Sequence, residues 1–342
     1  MIVLYILLAL LVFGVLILIH ELGHFLFAKR FGVTISEFSI GMGPKIVSKK
    51  GKDGVNYSLR VLPIGGYVAM VGEDEDSEDP NAFNKKPAWQ RFIIVIAGAI
   101  MNLLFGIILM AVLTMFTPHF GGTTVAEFYD YSTSNKTGIE LNDEIIKING
   151  ASVHTASDLS YEIMRSGYKP VDVTLVRDGK EITISNVQFP QTSSQGIAFG
   201  SMDFKIYEEK KTFGVICKNA FYSCTSTIKM IWDSLYDLIS GRYGIEAVSG
   251  PIGVTGAITD AAQTDTYTFF YLVVVITMNL GIFNLLPIPA LDGGTLLFLL
   301  IEMIFRKPIP RKVENGLKFT FFALLMLLVI FISFKDVFSL FK

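Results

Sequence analysis

The chain has 342 residues, of which 51% are hydrophobic and 18% are charged, and its mean hydropathy is +0.50. Soluble domains average about a quarter charged residues, so this composition indicates a membrane protein. The formal net charge of −2 argues against nucleic acid as a partner, since such binders need a basic face. Two cysteines cannot form a disulfide framework.

The first predicted span lies at the N-terminus. Residues 1–19 contain no charged side chain, and at about 1.5 Å per residue they reach roughly 28 Å, close to the thickness of the hydrocarbon core. A signal peptide is the competing interpretation. It fits poorly, because no basic segment precedes the apolar run and no small-residue cleavage site precedes Lys29 and Arg30.

Three further apolar runs, residues 92–116, 269–304 and 319–334, bring the predicted number of spans to four. The run 269–304 is long for one span and contains polar or helix-breaking residues, namely Asn279, Asn284, Pro287, Pro289, Asp292, Gly293 and Gly294. We therefore expect a helix with an unwound stretch. At membrane depth such a stretch is tolerated only where protein or a water-filled cavity satisfies its backbone.

Basic residues near the span ends predict the orientation. They flank the loop between spans one and two (Lys29, Arg30, Lys85, Lys86 and Arg91) and fill the loop between spans three and four (Arg306, Lys307, Arg311, Lys312 and Lys318). Because loops rich in lysine and arginine stay in the cytoplasm, both loops are expected inside. Both termini and residues 118–268 are then expected outside.

The connecting regions predict two further kinds of structure. Glycines punctuate residues 32–72, whose short β-type runs (35–40, 46–47, 57–61 and 67–71) predict hairpins near the membrane. Outside, a helix at 157–166 and strands at 171–177 and 181–187, joined at Asp178 and Gly179, predict a small α+β domain. Apolar residues at helical spacing over 213–240 predict an amphipathic helix on the membrane or, alternatively, an ordinary packed helix.

The predicted fold is a polytopic α-helical membrane protein with four transmembrane helices, a membrane-associated β-hairpin region and one outer α+β domain. Residues 1–117 hold spans one and two with the hairpins, and residues 118–205 form the outer domain. Residues 206–265 form an amphipathic region at the membrane surface, and residues 266–342 hold spans three and four.

The sequence His20-Glu21-Leu22-Gly23-His24 is an H-E-x-x-H motif at the inner end of span one. Positions four apart lie about 40° apart around a helix, so both imidazoles can face one metal ion. Zinc lowers the pKa of its water to about 7, and Glu21 can then take the proton. Paired structural histidines are the alternative, but ionisable side chains in a span are costly and usually functional.

Catalytic zinc usually has three protein ligands and one open position. His119 and His154 lie in the predicted outer region and cannot easily reach the inner end of span one. Asp292 is the remaining candidate, because it is the acid in the interior of the third run and lies beside helix breakers. Two roles stay open for it from position alone, a third metal ligand or a helix cap.

These motifs resemble a known family. His20 to His24 and Leu291-Asp292-Gly293 are similar to the two signatures of site-2 intramembrane metalloproteases, and residues 284–294 closely resemble that family's extended motif. Residues 137–150 are similar to a PDZ domain, which marks the bacterial branch of regulators of sigma-factor proteolysis. The resemblance covers nearly the whole chain.

The resemblance implies a zinc-dependent intramembrane endopeptidase of the bacterial plasma membrane, with its active site toward the cytoplasm. It implies His20, His24 and Asp292 as zinc ligands and Glu21 as the general base. It further implies that Asn102, Asn284, Pro287 and Pro289 contact the substrate, which the β-hairpin region presents by strand addition. Substrates would be single-span proteins such as anti-sigma factors and remnant signal peptides, first shortened outside by a site-1-type protease.

The sequence departs from the family's pattern in its outer domain. One PDZ-like domain is present where some relatives carry two, and Leu141 and Asn142 stand where Pro-Gly is commoner. The candidate carboxylate-binding loop, residues 196–199, is a weak match. The domain therefore either excludes bulky substrates by size or grips a free C-terminus.

Two other functional classes are weighed against a protease. A metal transporter or metal-dependent scaffold would not need Glu21, and it would need further ligands in other spans, where spans two and four offer only Asn102 and hydroxyl groups. A catalytically silent PDZ-bearing adaptor would not need an intact H-E-x-x-H motif.

Overall fold

The computed structural model describes residues 2–73, 75–194, 197–244, 246 and 248–339. Its α-helices are α1 (Ile2–Arg30), α2 (Ala88–Phe116), α3 (Ala156–Ser166), α4 (Phe213–Ile239), α5 (Pro251–Thr264), α6 (Thr266–Asn284), α7 (Asp292–Phe305) and α8 (Arg311–Ser339). Its strands are β1 (Ile35–Lys50), β2 (Asn56–Met70), β3 (Phe120–Phe128), β4 (Glu144–Ile148), β5 (Ala151–Ser152), β6 (Val171–Arg177), β7 (Lys180–Val187), β8 (Gln191–Ser194), β9 (Ile197–Gly200) and β10 (Phe204–Glu209).

The chain forms two compact units. The helical unit comprises Met1–Leu109 and Val248–Lys342, and the inserted unit comprises Met110–Ala247 between them. The boundary at 247 separates α4 from α5, which the sequence groups together within residues 206–265. In the helical unit, Ile258 of α5 is fully buried in a cluster with apolar side chains of α1 and α6.

Four helices are long and apolar enough to cross a membrane, Leu4–Arg30, Ala88–Phe116, Thr266–Asn284 and Arg311–Phe338. Within the described residues this confirms the predicted number of spans. The third predicted run has the expected unwound stretch, because α6 ends at Asn284 and α7 begins only at Asp292. Proline lacks a backbone N–H and clashes with the preceding turn, so Pro287 and Pro289 explain the break between them.

The strands β1 and β2 are long and bent, and their halves pair separately. Residues 35–40 pair antiparallel with residues 66–70 and lie beside residues 56–60, which in turn pair with residues 45–50. Four arms therefore lie side by side in the order 66–70, 35–40, 56–60 and 45–50. These arms match the four predicted β-type runs, and the arm of residues 66–70 forms one edge.

Glycines allow these strands to bend. Gly41, Gly43 and Gly65 adopt positive φ values of 84°, 85° and 81°, a region that other residues rarely adopt. A Cβ on Gly41 would lie 2.4 Å from the carbonyl oxygen of Leu62. The bend that makes four arms from two strands therefore requires glycine at this position.

The inserted unit is built on a sheet in the order β10-β3-β4-β6-β7, with β5 paired to β4 and β8 paired to β9. α3 begins at a capping box formed by Thr155 and Asp158 and packs its apolar face into the core of the sheet. The predicted helix and strand pair are confirmed. At the predicted turn Asp178 and Gly179 have φ values of 51° and 74°, as a type I′ hairpin requires. Gly196 of the candidate carboxylate-binding loop lies outside the described residues.

In the helical unit the start of α5 is held by a carboxylate from α8. Asp336 is buried, and its Oδ2 accepts hydrogen bonds from the backbone N–H groups of Gly250 and Gly253, each at 2.9 Å. A Cβ on Gly250 would lie 2.9 Å from that oxygen. The two glycines therefore let α8 dock its carboxylate directly on the first turn of α5.

Candidate metal centre

The two histidines of the H-E-x-x-H motif lie where α1 and α2 approach closely. A Cβ on Gly23 of α1 would come within 2.4 Å of the carbonyl oxygen of Ala97. On α2, a Cβ on Gly98 would come within 2.4 Å of His24 Nε2 and 2.8 Å of His20 Cε1. Both helices therefore need glycine for the imidazoles to reach their observed positions.

Asp292 is the first residue of α7 and follows the non-helical loop directly. The loop folds back against the helix at two glycines, where a Cβ would lie 2.0 Å from the oxygen of Leu286 for Gly293 and 2.4 Å from that of Ile288 for Gly294. The N-cap residue of α7 is Leu291, which makes no side-chain cap. The carboxylate of Asp292 instead lies against the two imidazoles.

The side chains of His20, His24 and Asp292, here called the metal centre, converge on one point. Asp292 Oδ2 lies 3.0 Å from His20 Nε2 and 3.3 Å from His24 Nε2. The two Nε2 atoms lie 3.1 Å apart. Both histidines are buried, each about 8% exposed.

This arrangement fits a metal ion. Tetrahedral zinc with bonds of about 2.0–2.1 Å separates its ligand atoms by about 3.3 Å, close to the distances observed. Asp292 Oδ2 is buried, and none of the described groups donates a hydrogen bond to it. Two imidazole nitrogens and a carboxylate oxygen form the donor set typical of zinc in enzymes. Among the described residues these three form a cluster that could hold a metal ion.

The other ring nitrogen of each histidine contacts α2. His24 Nδ1 lies 2.9 Å from the carbonyl oxygen of Ile94, which can only accept, so Nδ1 carries the proton and Nε2 keeps its lone pair. His20 Nδ1 lies 3.3 Å from Asn102 Nδ2, and Asn102 Oδ1 has no partner among the described groups. A half-turn of this amide lets Oδ1 accept from Nδ1–H, which frees Nε2 of His20 as well.

Glu21 projects from α1 toward the β-sheet. Its Oε2 accepts a hydrogen bond from the backbone N–H of Val68 at 3.1 Å. Val68 belongs to the arm of residues 66–70, which pairs with residues 35–40 on one side. The Glu21 carboxylate therefore accepts from a backbone N–H on the other side of this arm, which is the open edge of the sheet. Glu21, the metal centre and this arm all line one cavity of about 730 Å³.

The four residues predicted to contact substrate lie in different places. Asn102 is fully buried behind His20, and Asn284 is the last residue of α6. Pro287 is exposed in the loop before α7. Pro289 lines a second cavity, of about 400 Å³, together with Asp292. The role of these four residues in substrate binding stays a prediction.

The remaining histidines lie in the inserted unit. His119 Nδ1 lies 3.1 Å from Glu208, and the ring of His154 stacks on Tyr222 with centroids 3.9 Å apart.

The sequence missed Gly98 and Val68 as parts of the site. A glycine four residues before Asn102 was a usable signal, since both lie on one face of α2. The Val68 contact uses a backbone amide, which no side-chain pattern reveals.

Comparison with known proteins identifies the family of the chain. The model of peptidase family M50 matches residues 8–328. A protein of Clostridium acetobutylicum named as a zinc metalloprotease is 39% identical over 337 residues, which cover 97% of each chain. The regulator of sigma-W protease RasP of Bacillus subtilis is 30% identical over 420 aligned residues, covering 96% of this chain and 97% of the relative. The range matched by the family model includes His20, His24 and Asp292.

Proposed function

Because the chain belongs to peptidase family M50, the site-2 protease family, and is a zinc metalloprotease with several membrane spans, we propose that it cleaves single-span membrane proteins within or beside the bilayer. In this proposal the metal centre holds the zinc ion, and Glu21 is the general base. The observation that carries it is the convergence of two imidazole nitrogens and one carboxylate oxygen within 3.3 Å of one another at the C-terminal half of α1.

The chemistry divides between the ion and the protein. Zinc, when bound, supplies a Lewis acid that polarises the scissile carbonyl and acidifies water. Glu21 accepts the proton of the attacking water and passes it to the leaving amine. Ile94 and Asn102 hold the two imidazoles so that their Nε2 atoms keep facing the site.

The β-sheet supplies a binding mode for the substrate. A transmembrane helix hides its amides, so cleavage requires local unwinding and new partners for the backbone. The arm of residues 66–70 has its open edge beside Glu21 and lines the cavity at the metal centre. An unwound substrate strand that adds to this edge would therefore lie next to the base.

The inserted unit would be a PDZ-like filter outside the membrane. The strand after the candidate carboxylate-binding loop is β9, and a Cβ on its Gly200 would lie 2.3 Å from the oxygen of Ile163 in α3. This close packing leaves no room for a peptide between that end of β9 and α3. It favours exclusion of bulky substrates by size over gripping a free C-terminus.

The remaining parts of the proposal concern location and partners. Basic residues cluster in the loops after α1 and α7, and this supports an orientation with the metal centre toward the cytoplasm of a bacterial plasma membrane. Substrates would be anti-sigma factors or remnant signal peptides, released to this enzyme by a site-1-type protease. The name of the sigma-W regulator from Bacillus subtilis supports the first of these classes.

The test is the variant Glu21→Gln, co-expressed with a single-span substrate whose outer part has been removed. We expect cleavage to disappear while the zinc content of the purified protein stays at the wild-type level, since Glu21 is not a ligand. In the membrane proteome, single-span fragments should accumulate in the strain that expresses Glu21→Gln and not in the strain that expresses the wild type. Glu78→Gln, in an exposed loop, is the matched control and should cleave normally. Undiminished cleavage by Glu21→Gln would refute the assigned base.

A further inference from the structure

The helix that carries Asp292 is short. α7 has 14 residues and is therefore about 21 Å long, whereas α1, which carries the two histidines of the metal centre, has 29 residues. Asp292 is the first residue of α7. Its Oδ2 atom faces two imidazole nitrogens and receives no hydrogen bond from a described group. Contacts elsewhere on α7 must therefore hold this carboxylate at the metal centre.

The two histidines are fixed to α2. The carbonyl oxygen of Ile94 lies against His24 Nδ1, and the amide of Asn102 lies against His20 Nδ1. The imidazoles therefore keep their positions relative to α2. A complete metal centre requires in addition that α7 keep its own position relative to α2.

An ion pair joins α2 to α7. Arg91, on the first turn of α2, donates a hydrogen bond from Nη2 to Oε1 of Glu302, on the last turn of α7. The two side chains, here called the α2–α7 pair, are 16% and 19% exposed. Arg91 Nε also donates to the carbonyl oxygen of Lys86 at 3.0 Å, which braces the guanidinium. Within the described part of the chain, Asp292 and Glu302 are the residues of α7 whose side chains make an ion pair or a hydrogen bond to another helix.

Apolar packing fills the space between the α2–α7 pair and the metal centre. Ile94 and Val95 of α2 and Leu296 and Leu299 of α7 are buried in one cluster. Ile94 and Leu299 each lie about one helical turn from the α2–α7 pair, on the side toward the metal centre. The two helices are therefore attached at the pair and packed along the stretch that leads from it to the metal centre. Close-packed side chains transmit displacements rather than absorb them.

We propose that the α2–α7 pair positions Asp292 for the metal centre. This inference rests on the proposed function, in which the centre holds zinc. Glu302 lies about 15 Å along the helix from Asp292, so it acts through α7 and is not itself a ligand. With the pair in place, the carboxylate of Asp292 is already at the imidazoles when the ion arrives. Zinc binding then does not have to order α7, and this raises the affinity.

The test measures how tightly the protein binds zinc. Arg91→Met and Glu302→Met keep long side chains but remove the charges. Each full-length variant is purified, stripped of metal and titrated with zinc against a chelator of known affinity. We expect the zinc dissociation constant to rise about 10-fold, the lower end of the effect that outer contacts have on metal ligands. The visible absorption of the cobalt(II) form should change as well, because it reports the geometry of the ligands.

The double variant Arg91→Met/Glu302→Met separates positioning from stability. It leaves no unpaired charge, and replacing a buried ion pair by apolar side chains is often neutral or stabilising. We therefore expect its melting temperature without metal to stay near that of the wild type. Its zinc affinity should fall only as far as in the weaker single variant, since two residues of one contact have non-additive effects. Wild-type zinc affinity in the double variant would overturn the proposal, and so would a loss equal to the product of the two single losses.

Lys29→Met is the matched control. Lys29 Nζ pairs with Asp53 at 2.7 Å and joins α1 to the β-sheet, so its removal breaks an ion pair of the same unit without freeing α7. This variant should bind zinc as the wild type does, and a loss equal to that of Glu302→Met would overturn the proposal. Unchanged zinc affinity in Glu302→Met would overturn the positioning role alone. A wild type that bound no zinc would overturn the proposed function together with this inference.

Discussion

Two carboxylates, one in each unit, have opposite surroundings. In the inserted unit, Asp203 is fully buried, and its oxygens accept from the backbone N–H groups of Thr133 and Ser134 at 2.8 and 2.9 Å. It also accepts from the hydroxyls of Ser132 and Ser134. In the helical unit, Asp292 Oδ2 faces two imidazole nitrogens instead, and no described group donates a hydrogen bond to it.

The difference separates a structural acid from a proposed metal ligand. A buried carboxylate surrounded by donors is compensated by the protein itself, and it stabilises the chain segments that donate to it. A carboxylate that faces the lone pairs of neighbouring nitrogens receives no stabilising hydrogen bond from them. It is stabilised only when a cation binds between the carboxylate and the nitrogens. The comparison therefore predicts that substitution of Asp292 changes zinc content and cleavage, whereas substitution of Asp203 changes the stability of the inserted unit.

Asp292→Asn should have the largest effect. An amide is a poor ligand for zinc and removes the charge that compensates the ion. Since loss of an outer hydrogen bond to a ligand already costs about 10–100-fold, we expect loss of a ligand to lower cleavage by more than about 100-fold and to reduce the zinc content. Zinc is measured in the purified protein and cleavage with a single-span substrate.

The control for Asp292→Asn is another aspartate next to a helix of the same unit. Asp265 caps α6, accepting from the backbone N–H of Thr268 at 2.9 Å. Asp265→Asn should retain zinc and cost less than about 1 kcal/mol of stability, because asparagine also caps helices well. If both variants lost zinc equally, the contrast between ligand and structural acid would be wrong.

Gly98→Ala should have the next largest effect. The added Cβ would lie within 2.4 Å of His24 Nε2, so at least one imidazole must move. Displacements of about 1 Å in a catalytic site can cost about 100-fold in rate, and we expect a loss of this order. Gly256→Ala in α5 is the matched control, since a Cβ there meets no atom within 4 Å. Normal cleavage by Gly98→Ala would contradict the observed approach of α2 to the site.

Asn102→Leu tests the positioning of His20. If the amide oxygen accepts from His20 Nδ1–H, its loss should lower zinc affinity and cleavage by about 10–100-fold. Asn102→Asp keeps an acceptor oxygen and should restore most of the zinc affinity and most of the cleavage. A purely structural role would make the aspartate variant, which buries a charge, at least as damaging as leucine, and that result would exclude the hydrogen bond.

How far the sequence predicts the site depends on whether side chains or backbone form it. His20, Glu21 and His24 follow from helical spacing, and the spans follow from the length of apolar runs. For Asp292 the sequence leaves two roles open, ligand and helix cap, because position on a broken helix does not determine which way a carboxylate points. The structure brings it to the imidazoles through a loop that Gly293 and Gly294 allow to fold closely.

The β-sheet shows the other limit of the sequence. Its four arms were predictable as short β-type runs, but their order was not, because pairing depends on positive-φ glycines such as Gly41 that bend the strands. The edge position of residues 66–70 and the hydrogen bond from Val68 to Glu21 follow from that order. Both rest on backbone geometry, which residue identities specify only indirectly.

Asp203→Ala should have the smallest effect on cleavage and the clearest effect on the inserted unit. Removing the carboxylate leaves the buried N–H groups of Thr133 and Ser134 without their acceptor, and each such group costs about 1–3 kcal/mol. Amide hydrogen exchange in the full-length protein should therefore accelerate across β3 and β10, while α1 and the zinc content stay unchanged. Asp203→Asn keeps one acceptor oxygen, so its amide exchange rates should lie between those of the wild type and those of Asp203→Ala. Loss of zinc in Asp203→Ala would mean that the metal centre depends on the folding of the inserted unit. In that case experiments of this kind could not distinguish the role of Asp203 from that of Asp292.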